Sequence, residues 1–452
     1  MSTYRHNIPE TGKPRIVIIG GGFGGLNFLK RLRNNDYQVV LFDRYNYHTF
    51  QPLLYQVATA GLEPDSVAGP LRKMIRKKDD WHFRMLRVDR VDPEQQEIHT
   101  AAGRLHYDYL VIATGSKMNY FNNASIARNA YPLKQVTHAL DLRHTIFQQF
   151  ERLEILARKK GKIRENLNFV VVGAGPTGVE ICGALAELKK HVLPKDYPEL
   201  DIGCMHIYLV EGLGQVLPAM SEASGKKAQQ YLERFGVKVI LNCMTESYDG
   251  KTVQLSNGEK ITANTLVWAA GVQPNLPRGI PADYTGKSGL RVNIYNQVSN
   301  ADGKSILENI FAIGDAAFLQ TEKYEQGLPG LAPVAIQQGK HLAKNMIRAA
   351  RGKSLKPFHY VNKGVMATIG RNKAVADLPM NIRFSGLAGW TTWMLVHLLY
   401  LVGFRNKTIV FTNWFWNYVT YDRGIRLIIR PSPKSRDLIS RELMNEMKTD
   451  NE

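Results

Sequence analysis

Apolar and polar positions in Arg15–Asp43, RIVIIGGGFGGLNFLKRLRNNDYQVVLFD, change rhythm twice. A β-branched run breaks at a cluster of glycines, helical spacing follows, and a second apolar run ends in an acid; this pattern predicts a βαβ unit. Gly20, Gly22 and Gly25 take the GxGxxG positions. Those positions allow a tight turn, close backbone approach to a pyrophosphate, and close packing of helix on strand. The positive helix N-terminus suits phosphate. Asp43 lies twenty-three residues past Gly20 and is placed to accept hydrogen bonds from ribose hydroxyls.

The pattern recurs at Asn168–Gly183, NFVVVGAGPTGVEICG, where a strand precedes Gly173, Gly175 and Gly178 and the next strand, HIYLVEG, ends at Glu211. Two such units imply two separate nucleotides. Glu211 is followed by GLGQV with no nearby arginine, which favours NADH over NADPH by repelling a 2′-phosphate. Two shorter strands end in small-residue corners: YDYLVIATGS, with Ala113, Thr114 and Gly115, and ANTLVWAAGV, with Ala270 and Gly271. Each is expected to return the chain to the cofactor of its own unit. A third strand, NIFAIGDAA, breaks at Gly314–Asp315, an acid suited to a polyol beside a helix start suited to phosphate.

The chain has 452 residues, 44% hydrophobic and 22% charged, enough for two to four domains. Its net charge of +19 suits nucleic acid, an anionic membrane or acidic ligands. No helix-turn-helix or basic-aromatic module favours nucleic acid. The polar N-terminus lacks a secretory apolar core, so a cytoplasmic location is expected. Cys182, Cys204 and Cys243 have no paired spacing and give no reason to expect a disulfide framework, a metal site or an iron–sulfur cluster.

The order GxGxxG, ATG, second GxGxxG, AAG and IGD resembles the two-dinucleotide-binding-domain flavoproteins. The disulfide reductases of that group carry a cysteine pair soon after the first unit, where this chain has HTFQPLLYQVATAGL. That stretch, KGVMATIGRNKAVA (Lys363–Ala376) and the aromatic tail are similar to the type II NADH dehydrogenases, which are non-pumping NADH:quinone oxidoreductases. The resemblance implies an α/β fold of two Rossmann-like domains, with FAD on the first and NADH on the second. A discontinuous FAD domain (1–165 and 291–378) would hold an inserted NAD(H) domain (166–290), with an amphipathic helical membrane anchor at 379–452. It implies a quinone as acceptor, an anionic lipid surface at the cytoplasmic face of the inner membrane, and a homodimer. The family's AQxAxQQG helix matches APVAIQQG at Gln337 and Gln338, with Pro333 replacing a glutamine in the first turn. The helix opening after Ala332, and Lys363, would face the flavin. Glu180 would stand at the nicotinamide and quinone end, able to give a proton if burial raises its pKa. A soluble ferredoxin or carrier reductase of the same fold, and a flavin-binding regulator, are the alternatives.

The tail run WTTWMLVHLLYLVGF, Trp390–Phe404, makes roughly 22 Å of helix against about 30 Å of hydrocarbon, too short for a comfortable span. Trp390, Trp393, Trp414 and Trp416 fall in this tail with Tyr400, Tyr418 and Tyr421, residues that favour a membrane interface. Trp393 and Leu401 are expected to hold it to lipid. In DRGIRLIIRP, helical spacing would group Arg423, Arg426 and Arg430 opposite Ile425, Ile428 and Ile429, suiting anionic headgroups.

Overall fold

Strand β1 (Arg15–Ile19) is buried along its whole length, and α1 (Phe23–Leu32) leaves it through the glycine turn. β2 (Gln38–Asp43) returns parallel to β1. β3 (Trp81–Met85) lies beside β2, and β4 (Tyr109–Ile112) beside β1. The computed structural model describes residues 6–32, 36–75, 79–160 and 167–429, with backbone alone at 156–160.

The arrangement is then repeated. β5 (Leu167–Val172), α2 (Pro176–His191), β6 (Met205–Val210), β7 (Val237–Ile240) and β8 (Thr265–Trp268) form a second parallel sheet. Its edge strand is Tyr131–Pro132, so this sheet already recruits chain from ahead of residue 165. β9 (Gln297–Ser299) and β10 (Ile306–Ala312) return to the first sheet, giving the order β9-β10-β4-β1-β2-β3 with only β9 antiparallel. α3 (Ala332–Ala349) then packs on α1, so closely that a Cβ at Gly339 would lie 2.3 Å from the Gly24 carbonyl oxygen.

Continuous apolar strands are what a sheet covered on both faces requires. Ile16, Ile18, Val39 and Leu41 meet Phe28, Leu342 and Met346 of the two helices. Their neighbours Val17, Ile19, Val40 and Phe42 face Val91 and Ile98 of an antiparallel sheet at 88–106. In the second sheet Val170 and Val172 likewise meet Val253 and Leu255 of an antiparallel sheet, and Phe169 and Val171 join a core that includes Ile181 and Leu185 of α2.

The C-terminal part begins with an antiparallel meander, β11 (Val365–Gly370), β12 (Lys373–Asp377) and β13 (Arg383–Ser385). β11 rides directly on α2: a Cβ at Gly183 would fall 1.7 Å from the Ile369 carbonyl oxygen. Helices α4 (Gly386–Tyr400) and α5 (Phe404–Thr420) follow. α5 is polar inward. Asn406, Asn413 and Asn417 donate to the Asp65 and Ala68 carbonyls, to Glu63 and to the Gly61 carbonyl, while Phe404, Phe411, Phe415 and Val419 are exposed.

The tail corrects three expectations. Its apolar run lies in α4 up to Tyr400 and then bends, only Phe404 reaching α5, and Trp393 and Leu401 are core residues, only 2% and 3% exposed. Burying an indole N–H is costly without an acceptor, and Trp393 finds one in Glu180, whereas Leu401 packs into the largest apolar core. Of the four tail tryptophans only Trp416 is exposed, and the outward face of α4 is carried by Leu387, Leu395 and Leu399 instead. The basic helical turn is not formed, because α5 ends at Tyr421 in the left-handed conformation and residues 421–429 have no helix. Arg423 pairs with Glu187, and Arg426 with Asp196 and Asp422, so these arginines are compensated within the chain. Arg430 lies outside the described residues. Among the described residues no helix is long and apolar enough to cross a membrane.

Candidate active site

Both glycine turns are shaped by the same close approaches. A Cβ at Gly25 would stand 2.0 Å from the Gly20 carbonyl oxygen, and one at Gly178 would stand 1.8 Å from that of Gly173. The middle glycines differ: around a Cβ on Gly22 or Gly175 there is no heavy atom within 4 Å. The outer glycines therefore build the turn, and the middle ones leave open backbone where a pyrophosphate needs it.

The strand-end acids brace these turns identically. Asp43 Oδ2 accepts from the Gly21 N–H at 2.6 Å and Oδ1 from the Tyr45 N–H at 2.9 Å. Glu211 Oε2 accepts from the Ala174 N–H at 2.6 Å and Oε1 from the Leu213 N–H at 2.9 Å. Burial raises the Asp43 pKa, with the backbone donors opposing it.

Ala113, Thr114 and Gly115 leave β4 against the first turn: a Cβ at Gly20 would meet the Ala113 carbonyl oxygen at 2.3 Å. Thr114 Oγ1 is buried with no protein partner among the described residues, as fits a bound cofactor. Ala270 and Gly271 occupy the same place in the second unit, where a Cβ at Gly173 would meet the Ala270 nitrogen at 2.7 Å. Asp315 accepts from Ser116 Oγ at 2.5 Å, and Lys134 Nζ donates to that hydroxyl at 2.8 Å. Burial lowers the Lys134 pKa and the Asp315 charge opposes the shift. Lys134 and Ser116 were not foreseen, because their partner lies far along the chain.

The glutamines of α3 are committed to partners within the fold. Gln338 Oε1 accepts from the Gly314 N–H at 2.8 Å, and its Nε2 donates to Asn296 Oδ1 at 3.0 Å. Gln337 Nε2 donates to the Val361 carbonyl at 2.9 Å, and its Oε1 accepts from the Val361 N–H at 3.1 Å. Lys363 is exposed just ahead of β11. Gln338→Leu should strand the half-buried Gly314 N–H and the buried Asn296 Oδ1, at about 1–3 kcal/mol per unpaired buried group. Thermal denaturation should show a clear fall in melting temperature, with weaker flavin retention because Gly314 adjoins Asp315.

Glu180 stands apart from that group, in the first turns of α2, and is buried at 6% exposure. Its Oε1 accepts from the Trp393 indole at 3.2 Å and the Thr368 N–H at 3.4 Å. Burial pushes its pKa up to about 8, with those two donors opposing the shift. The carboxyl lines a cavity of about 120 Å³ shared with Tyr55, Arg371, Trp390, Trp393 and Tyr418. That volume holds roughly ten waters at about 10–15 Å³ each, or a ring. At its far end Arg371 lies over Tyr418 and Tyr421, at 3.9 and 4.2 Å from the ring centroids. Arg423 closes the cavity's edge by donating to Glu187 and to the Thr59 and Ala184 carbonyls.

The pyridine nucleotide-disulphide oxidoreductase family matches residues 14–339, and the NDH2 C-terminal domain family matches residues 362–420. A type II NADH:quinone oxidoreductase of Mycobacterium tuberculosis is 34% identical over 91% of this chain and 89% of its own. The chain belongs to the type II NADH:quinone oxidoreductases. The relative from Haemophilus influenzae is 31% identical over 80% of this chain and 86% of its own. The structure of NDH2 from Plasmodium falciparum in complex with NADH superposes with a TM-score of 0.81, covering 92% of this chain and 100% of that one at 22% identity, which shows the shared fold. The NDH2 C-terminal match spans β11 to the end of α5, the part that brings Thr368 and Trp393 to Glu180. Among the described residues Cys182, Cys204 and Cys243 form no disulfide with one another, and burial pushes the Cys182 thiol up rather than activating it.

Proposed function

We propose that this chain oxidises NADH through FAD and passes two electrons and two protons to a membrane quinone without pumping protons. The observation that carries the reading is the pair of open glycine cradles in one chain, together with a buried acid whose Oε1 is held by two donors beside a cavity. The first cradle, with Asp43, Thr114 and Asp315, would hold FAD; the second, with Glu211, would hold NADH. Bound FAD supplies the two-electron chemistry that no side chain has. Glu211 would accept from paired ribose hydroxyls and repel a 2′-phosphate, which favours NADH. Glu180 is neutral near pH 7, so it can give a proton to a quinone oxygen and regain one from water. Gln338 holds the Gly314–Asp315 turn, Gln337 anchors the chain at Val361, and Lys363 is the exposed cation that would face the flavin side. The domain limits fall near residues 165, 290 and 378 in this reading.

The outward phenylalanines of α5 and outward leucines of α4 support docking on lipid, since water should not face so many aromatic and aliphatic side chains. The +19 charge favours an anionic surface, and the cytoplasmic face of the inner membrane, with the chain as a homodimer, completes the proposal. Leu399→Glu with Phe415→Glu should release the protein from anionic liposomes in a sedimentation assay while leaving reduction by NADH intact. Retention equal to the parent would place the anchor elsewhere. In sealed vesicles NADH should be consumed with added quinone while a pH-gradient dye stays silent; gradient formation would overturn the non-pumping reading.

A further inference from the structure

Trp393 comes from α4, whose opposite side carries exposed Leu395 and Leu399. Its ring is stacked 4.1 Å from His397, tilted against Trp414 at 5.6 Å, and edge-on to Tyr55 at 6.4 Å. An indole enclosed in this way has one donor and needs one acceptor. That acceptor is Glu180 Oε1, the same oxygen that takes the Thr368 N–H. Oε2 has no hydrogen-bond partner among the described residues, and it is the oxygen left for the cavity that Glu180 lines.

We infer that Trp393 is a positioning residue for proton delivery to the quinone: its N–H holds Oε1 inward and presents Oε2–H to the cavity. This rests on the reading of Glu180 as the proton donor. In the step, the Oε2–H bond breaks as an O–H bond forms on the quinone oxygen, and the carboxylate left behind is reprotonated by water. The two electrons come from NADH oxidation. The same helix thus turns its outer side to the apolar surface and sets the acid's geometry with its inner side. Tyr55 faces Glu180 from the helix Leu54–Ala58, Glu187 and His191 from its own helix, Arg371 from the end of β11, Tyr418 from α5 and Arg423 from the tail; His397 stands behind Trp393. None of these changes when only the indole N–H is removed, so a shift then reports that hydrogen bond.

The test compares Trp393→Phe, and an isosteric benzothienylalanine at position 393 that keeps the ring shape without N–H, with Glu180→Gln in the flavin-loaded protein. Infrared titration follows the carboxyl band that Glu180→Gln removes, alongside the pH profile of quinone turnover. Loss of the N–H should raise the carboxyl midpoint and the high-pH limb by about one pH unit, as a lost hydrogen bond to a charged group implies. In a Glu180→Gln background the same change should move nothing. A folded N–H-free protein with an unshifted band and limb overturns the inference, and the isostere decides if the phenylalanine variant does not fold. A high-pH limb that survives in Glu180→Gln would instead sink the proton-donor reading itself.

Discussion

Gly175→Val should purify yellow, with its full complement of FAD, yet be reduced by NADH about 100-fold or more slowly, while dithionite still bleaches it. A Cβ at this position meets no heavy atom within 4 Å, so the valine is accommodated by the fold and obstructs only what lies in the cradle. Gly22→Val should have the mirror phenotype: a folded, colourless protein by circular dichroism and absorbance. Valine at Gly25 or Gly178 would instead drive its Cβ into a backbone carbonyl at 2.0 or 1.8 Å and should abolish soluble expression. If Gly175→Val were colourless and Gly22→Val yellow but unreactive to NADH, the two nucleotides would have to exchange places.

Glu180→Gln should cut quinone turnover by about 100-fold, the lower end of what a positioned acid contributes, with reduction by NADH unchanged. The parent's turnover should fall as pH rises through about 8, and the glutamine variant should lack that limb. Stability has a definite sign as well. Burial holds the folded-state value at about 8, above the ordinary 4.5. The stability of the neutral acid is fully present below pH 4.5 and is lost as pH rises through 8, because the native state keeps a proton that the unfolded state releases. Across that window the parent should lose on the order of 5 kcal/mol relative to Glu180→Gln. Denaturant midpoints measured from pH 5 to 9 check this, and parallel curves for the two proteins would mean that Glu180 is not buried as a neutral acid.

The two cradles were legible in the sequence because their constraints are local. Gly25 must clear Gly20, and Gly178 must clear Gly173, within one turn of chain. Glu180 was not legible in the same way. Alone it is an acid near a helix start, which the helix dipole favours anyway. Its burial depends on Thr368 and Trp393, 188 and 213 residues later, and no periodicity reports such a meeting. Gln338 could be picked out by motif, but its task, holding Gly314 and Asn296, required the fold. In the tail, aromatic content pointed to an interface yet named the wrong faces, since indoles can turn inward to a carboxylate. A readable signal was present: Asn406, Asn413 and Asn417 share one face of α5, leaving Phe411 and Phe415 to the other. Net charge misled locally, because Arg423 and Arg426 answer acids of this same chain.

An anaerobic titration of the purified full-length protein bears most directly on the proposed activity. NADH is added until the flavin absorbance is bleached, and a soluble quinone is then added in the absence of oxygen. Full bleaching by one equivalent of NADH and full recovery by one equivalent of quinone are expected; bleached flavin that ignores quinone but is reoxidised by ferredoxin would contradict it.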